Sequence, residues 1–208
     1  MLLLDHLPLV EAARLHYRQP HRGYHNQDHL DELIALARRY TPDLAPAEQL
    51  ALLFHDAVYV PGAGHGANEA LSARLMRATV AVLGRTDRLV SPLAEADLQM
   101  AATIIEATTH DKVPPAEAAR ICDLDLWRLA APWPDFRRHA EGVRHEYLHL
   151  VGSDEAFWTA RHAFYRDMLK KPHLFTTAAF RDRFEATARE NLERASKEGV
   201  IPNEVRDP

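Results

Sequence analysis

Apolar residues recur at helical spacing along nearly the whole chain, and alternating apolar and polar runs bounded by turn residues are scarce. That pattern predicts an all-α protein. Breakers divide it. A first helix runs from about Leu7 to Arg18 and stops before Pro20; a second begins near Asn26, carries the stripe Leu30, Leu33, Ile34 and Ala37, and ends before Pro42. Pro46 suits a helix first turn. The segment it opens, to about Val58, is apolar on nearly every face (Leu50, Ala51, Leu52, Leu53, Phe54, Ala57), as the central helix of a bundle would be. Beyond the Gly and Pro loop Pro61 to Gly66, helices are expected from Asn68 to Leu83, Leu93 to His110, Pro115 to Ala130, and Pro132 or Pro134 to Val151. Two more follow, Ser153 to Lys170 and Thr176 or Thr177 to Lys197, with the hydroxyl residues as caps. A turn joins Gly84 to Pro92. No repeat or linker divides the chain, so residues 1–198 read as one helical domain and 199–208 as a polar tail.

The 208 residues can enclose a large core. A formal net charge of −5 provides no global positive field for nucleic acid or anionic lipid, so a phosphate would have to be gripped locally. No stretch approaches 18 uninterrupted apolar residues, which argues against a membrane span. Cys122 is the only cysteine and cannot form an internal disulfide, and Met1 to Leu4 is too short a run for a signal peptide. These readings place the protein in the cytoplasm and leave self-association into a homo-oligomer open. The composition departs from the ordinary in one respect, 13 histidines. Histidine is the commonest metal ligand and the usual acid or base near neutral pH.

Three segments carry candidate chemistry. In Tyr24-His25-Asn26-Gln27-Asp28-His29 the two histidines stand four apart, a spacing that puts both rings on one helix face but that a core-edge pair shows as readily. His55-Asp56 sits in the most apolar helix. No Lys or Arg lies from Glu48 to Tyr59, so the Asp56 carboxylate needs a cation from elsewhere, an arginine or a metal ion. In Cys122-Asp123-Leu124-Asp125-Leu126 whichever carboxylate faces inward needs a partner too. His110 is a weaker candidate, since a histidine ending a helix also serves the helix dipole. Arg22, three residues before His25, is placed to meet a phosphate by bidentate hydrogen bonding, unless it is simply a surface arginine. Arg144 is a second candidate for that role, although Arg144, Glu146 and Tyr147 on one helix also read as a structural hydrogen-bonding cluster. Glu69 could orient a water, or only stabilise its own helix start. Phe175, Phe180 and Phe184 read as core packing.

The order of these pieces resembles the HD superfamily of metal-dependent phosphohydrolases, whose name describes a doublet such as His55-Asp56. The strings Tyr17-Arg18-Gln19-Pro20-His21-Arg22-Gly23-Tyr24-His25-Asn26, Phe54-His55-Asp56-Ala57-Val58-Tyr59, Asn68-Glu69 with Ser72-Ala73, Asp123-Leu124-Asp125-Leu126 and Arg144-His145-Glu146-Tyr147 look like a bacterial branch of it, from about Tyr17 to Leu192. Tyr24-His25-Asn26 with His29 also looks like the Tyr-His-Asn-x-x-His signature of cyclic nucleotide phosphodiesterases, which share that fold. The chain is shorter than their catalytic domain and lacks a recognisable nucleotide-binding glutamine pocket, so cyclic nucleotide specificity does not transfer.

The resemblance implies an HD-type bundle in which His29, His55, Asp56 and Asp123 hold a divalent ion (Mn, Fe, Co, Ni, Zn or Mg), one or two per chain, with Asp125 as the alternative late ligand. It implies His25 as proton donor and Asp56 as the bridge if a second ion is bound, with His110 as an extra ligand. A mixed N and O ligand set suits first-row metals. Such an ion lowers the pKa of water toward about 7. The expected reaction is hydrolysis of a small phosphorylated substrate, a nucleotide or related compound. Two other classes share the fold: a catalytically inactive module that senses a nucleotide, and a di-iron oxygenase, which needs about six ligands.

Overall fold

The computed structural model describes residues 2–86, 88–89 and 93–198. Part of the expected Gly84 to Pro92 turn and the polar tail at 199–208 lie outside them. Among the described residues there is no strand, and the all-α expectation holds. The helices are α1 (Leu7–Arg14), α2 (Gln27–Tyr40), α3 (Pro46–Phe54), α4 (Ala67–Arg85), α5 (Glu95–Ala107), α6 (Ala119–Leu126), α7 (Trp133–Val151), α8 (Asp154–Lys170) and α9 (Ala178–Lys197), with short 3₁₀ turns at Leu3–Asp5, Leu15–Tyr17 and Trp127–Ala130. No helix among the described residues is long and apolar enough to cross a membrane.

α3 is buried at every position from Ala47 to Phe54 and packs against α1, α2, α4, α5 and α6. Its apolar character on all faces thus has the expected cause. Helices α8 and α9 pack together, and α9 lies along the Trp127–Ala130 turn, so Tyr165, Met168, Phe175, Phe180 and Leu192 join the same core as Leu50, Leu53 and Phe54. Arg120 of α6 ties that helix to α3 through two N–H groups on Glu48, at 2.7 and 2.5 Å.

One boundary and one shared helix face differ from the sequence expectation in ways that shape the site. α3 stops at Phe54, not near Val58. Competing partners take the backbone groups that would continue it. The N–H of Asp56 donates to Tyr17 Oη at 3.2 Å, and Arg22 donates to the carbonyls of Asp56 (2.6 Å) and Ala57 (3.0 Å). Ser72 Oγ accepts from Val58 N at 2.9 Å. His55-Asp56 therefore lies in a turn at the helix end. α2 starts at Gln27, as expected, with Asn26 before it. Asn26 adopts an extended conformation and its side chain accepts from the N–H groups of Asp28 and His29 at 3.0 and 3.2 Å, as an N-cap does. His25 is consequently outside the helix, and the two histidines do not share one helix face.

Candidate metal centre

His29 from the first turns of α2, His55 and Asp56 from the turn after α3, and Asp125 near the end of α6 each offer one ligand atom, all within 4.8 Å of one another. His55 Nε2 lies 3.1 Å from Asp56 Oδ2 and 3.6 Å from Asp125 Oδ1. His29 Nε2 lies 3.3 Å from Asp125 Oδ1 and 3.6 Å from Asp56 Oδ2. Ligand atoms about 2.1 Å from a common ion stand roughly 3.0 Å apart across a right angle and about 3.4 Å apart across a tetrahedral one. The spacing therefore fits.

The hydrogen bonding points the same way. His29 and His55 are buried, yet both Nε2 atoms lack a hydrogen-bond partner, because their close approaches to the carboxylates are off the direction a hydrogen bond requires. His55 Nδ1 donates to Leu52 O at 3.0 Å. That bond leaves Nε2 as the atom facing the group, the arrangement of a metal-ligating imidazole with an outer partner. Burial opposes charge on every member. Even so, the imidazolium charges of His55 and His25 hold Asp56 below the usual carboxylate range. The hydrogen bond from His110 and the nearby charge of His55 hold Asp125 well below it. Asp56 and Asp125 in turn hold His55 well above its usual value, whereas burial pulls His29 down to about 4. Two ionised carboxylates facing two imidazoles form a donor set suited to a divalent first-row cation.

Asp123 is not in this group. Its carboxylate is fully buried on the other side of α6 and accepts the main-chain N–H groups of Thr176 (2.6 Å) and Thr177 (2.7 Å), at the start of α9. Residues two apart on a helix face different directions, and it is Asp125 that turns to the group. Its outer oxygen Oδ2 lies 2.7 Å from His110 Nε2. His110 reaches it from a left-handed backbone conformation (φ 56°), outside α5, so its role as a helix-ending residue does not hold.

His25 stands beside the group, its ring centroid 6.1 Å from that of His29. The ring stacks on Tyr59 at 3.9 Å, and Nδ1 lies 2.8 Å from Glu146 Oε2. Glu146, from α7, is buried and also accepts from the N–H groups of Tyr24 and His25 at 2.7 and 2.8 Å. Burial opposes its charge, but the His25 ring and the two N–H groups hold its carboxyl below the usual range. The sequence offers Glu146 as part of a structural cluster with Arg144 and Tyr147 and of the string Arg144-His145-Glu146-Tyr147, with no link to His25. Its separation of 121 residues from His25 concealed the pairing.

Both arginines expected at a phosphate are otherwise engaged. Arg22 is buried and donates to the carbonyls of His25, Asp56 and Ala57 and to Gln19 Oε1, so it organises the backbone behind the site. Arg144 pairs with Asp154 at 2.5 Å and ties α7 to the start of α8. Glu69, from the first turn of α4, lines a cleft of about 710 Å³ that also includes His25, Asp56, His110 and Asp125. Compared with protein-family models, with curated proteins and with solved structures, the chain matches none.

Proposed function

We propose that the chain is a metal-dependent phosphohydrolase of the HD type, hydrolysing a small phosphorylated substrate. The observation that carries this reading is the convergence of His29, His55, Asp56 and Asp125 beside a histidine, His25, that is oriented by a buried carboxylate. The two Nε2 atoms and the two carboxylates would hold the divalent ion. When bound, the ion supplies a Lewis acid and a water of lowered pKa.

The rest is work for side chains. In hydrolysis a water oxygen bonds to phosphorus while the bond from phosphorus to the leaving oxygen breaks, and that oxygen must receive a proton. Glu146 fixes His25 through Nδ1, Tyr59 holds the ring by stacking, and Nε2–H is then the proton donor to the departing oxygen. Glu146 orients the His25 ring without touching substrate. Glu69, which lines the same cleft, orients a water. His110 braces Asp125 through Oδ2 and leaves Oδ1 facing the two imidazoles.

The test compares an activated aryl phosphate with an alkyl phosphate on the chain loaded with Mn²⁺, Co²⁺ or Zn²⁺. Hydrolysis of both is expected. His25→Ala should slow the alkyl ester by about 10²- to 10⁴-fold and the aryl ester much less, with metal content unchanged. Absence of hydrolysis with every ion would overturn the assignment.

A further inference from the structure

The cleft beside the metal group is far larger than a phosphate, and its far wall is hydrocarbon. Leu129, Phe136, Val143, Phe157 and Met168 line it. At its mouth Phe164 and Val151 remain 39% and 37% exposed, large apolar side chains left in water at the entrance to a cavity. No Asn or Gln lines the cleft among the described residues. Three of the hydroxyls that line it donate within the protein already. Tyr59 Oη donates to Tyr147 Oη at 3.1 Å, Thr108 Oγ1 to Ile105 O at 2.7 Å, and Thr109 Oγ1 to Asp111 at 2.7 Å.

The cations of the cleft are equally distinct. Arg128 is paired with Glu32 at 2.5 Å and lies over the Tyr24 ring. Arg161 and Lys171 also line the cleft, and neither is paired with a carboxylate among the described residues. Lys171 Nζ donates to the backbone oxygen of His110, the residue whose ring reaches Asp125. Arg161 donates through Nε to Tyr165 Oη and leaves its terminal N–H groups for another acceptor.

From these observations we infer that the substrate is a phosphomonoester of a bulky apolar alcohol, aromatic or branched, in place of the nucleotide suggested by sequence: the hydrocarbon lies against Phe136, Phe157, Phe164 and Met168, and Lys171 with Arg161 meets the phosphate. A pocket of this size, mostly apolar with a few convergent polar groups at one end, takes a ligand of that construction. The inference rests on the phosphohydrolase reading, and it is tested by binding so that the two can fail separately.

The probes are non-hydrolysable phosphonates: ethylphosphonate, 3-phenylpropylphosphonate and the methylene phosphonate analogue of a nucleoside monophosphate. Each is titrated calorimetrically into the full chain loaded with Mn²⁺. The phenylalkyl compound should bind about 10- to 100-fold more tightly than the ethyl compound, the gain expected from burying a phenyl group, and more tightly than the nucleoside analogue. Phe164→Ala, at a half-exposed position the core does not need, should narrow the phenyl-to-ethyl ratio to under about threefold. Lys171→Met should weaken both compounds by about tenfold. Equal binding of all three, preference for the nucleoside analogue, or no binding of any of them would overturn the inference. Selective binding of the phenylalkyl phosphonate without turnover of the matching phosphate ester would sustain the ligand class while removing the hydrolase reading.

Discussion

Gly23 and Gly142 meet backbone to backbone: a Cβ on Gly23 would stand 2.5 Å from Gly142 O, and one on Gly142 would stand 2.7 Å from Gly23 O. The contact presses the Tyr24-His25 segment onto α7 four residues before Glu146, the distance along a helix that brings Glu146 under the His25 ring. Gly142 lies inside α7, where on an open helix a change to alanine would stabilise by about 1 kcal/mol. Here the sign reverses. Gly142→Ala should destabilise by about 1–3 kcal/mol, because the backbones must part. Urea denaturation measures the stability, and the rate with a poor leaving group should fall along with it. A stability equal to or above that of the parent would remove the close approach as the device that positions His25.

Arg22→Lys should lower stability by about 2–4 kcal/mol although the charge is kept. One ammonium cannot reproduce the planar fork that meets the carbonyls of His25, Asp56 and Ala57 together, and buried carbonyls would be left without donors. Thermal unfolding checks it. A variant as stable as the parent, with weakened phosphonate binding, would return Arg22 to the phosphate role that its place before His25 first suggested.

Cys122 should be chemically silent in the folded protein. Burial pushes its thiol up to about 12, so at pH 7 to 8 it carries no thiolate to attack iodoacetamide. The folded pKa lies above the unfolded value of about 8.5, so the thiol's contribution to stability is complete below pH 8.5 and is lost as the pH rises toward 12. Mass spectrometry should find alkylation only after denaturant is added. Rapid labelling of the native chain would contradict the burial of Cys122, whose thiol meets the Ala107 carbonyl at the end of α5.

The helices were legible in the sequence because prolines, caps and apolar stripes are local: Ser153 does cap α8, and Thr177 caps α9. The need of Asp56 for a cation was legible as well, since a carboxylate among apolar residues demands one, whereas the place of His29 beside it came from the resemblance. The choice between Asp123 and Asp125 was not legible. Both sit among apolar neighbours two residues apart, and what separates them is the direction α6 faces, set by α2 and α3 on one side and by the Thr176-Thr177 turn on the other. Arg22 was misread for a related reason. Its task exists only because α3 ends at Phe54, and that ending depends on Tyr17, Ser72 and Arg22 itself. The apolar wall of the cleft comes from α7, α8 and the Trp127–Ala130 turn, whose juxtaposition no local pattern announces.

The central claim is that His29, His55, Asp56 and Asp125 hold one divalent ion, and the most direct measurement is elemental analysis of the purified chain beside Asp125→Ala and Asp123→Ala after loading with Mn²⁺ or Zn²⁺ and removal of excess metal. The parent should retain at least one ion per chain. Asp125→Ala should retain almost none while keeping its helical content. Asp123→Ala should keep its ion and instead lose about 1.5–3 kcal/mol of stability, from the two N–H groups left without an acceptor at the start of α9. Retention of the metal in Asp125→Ala, or its loss in Asp123→Ala with the fold intact, would contradict the account.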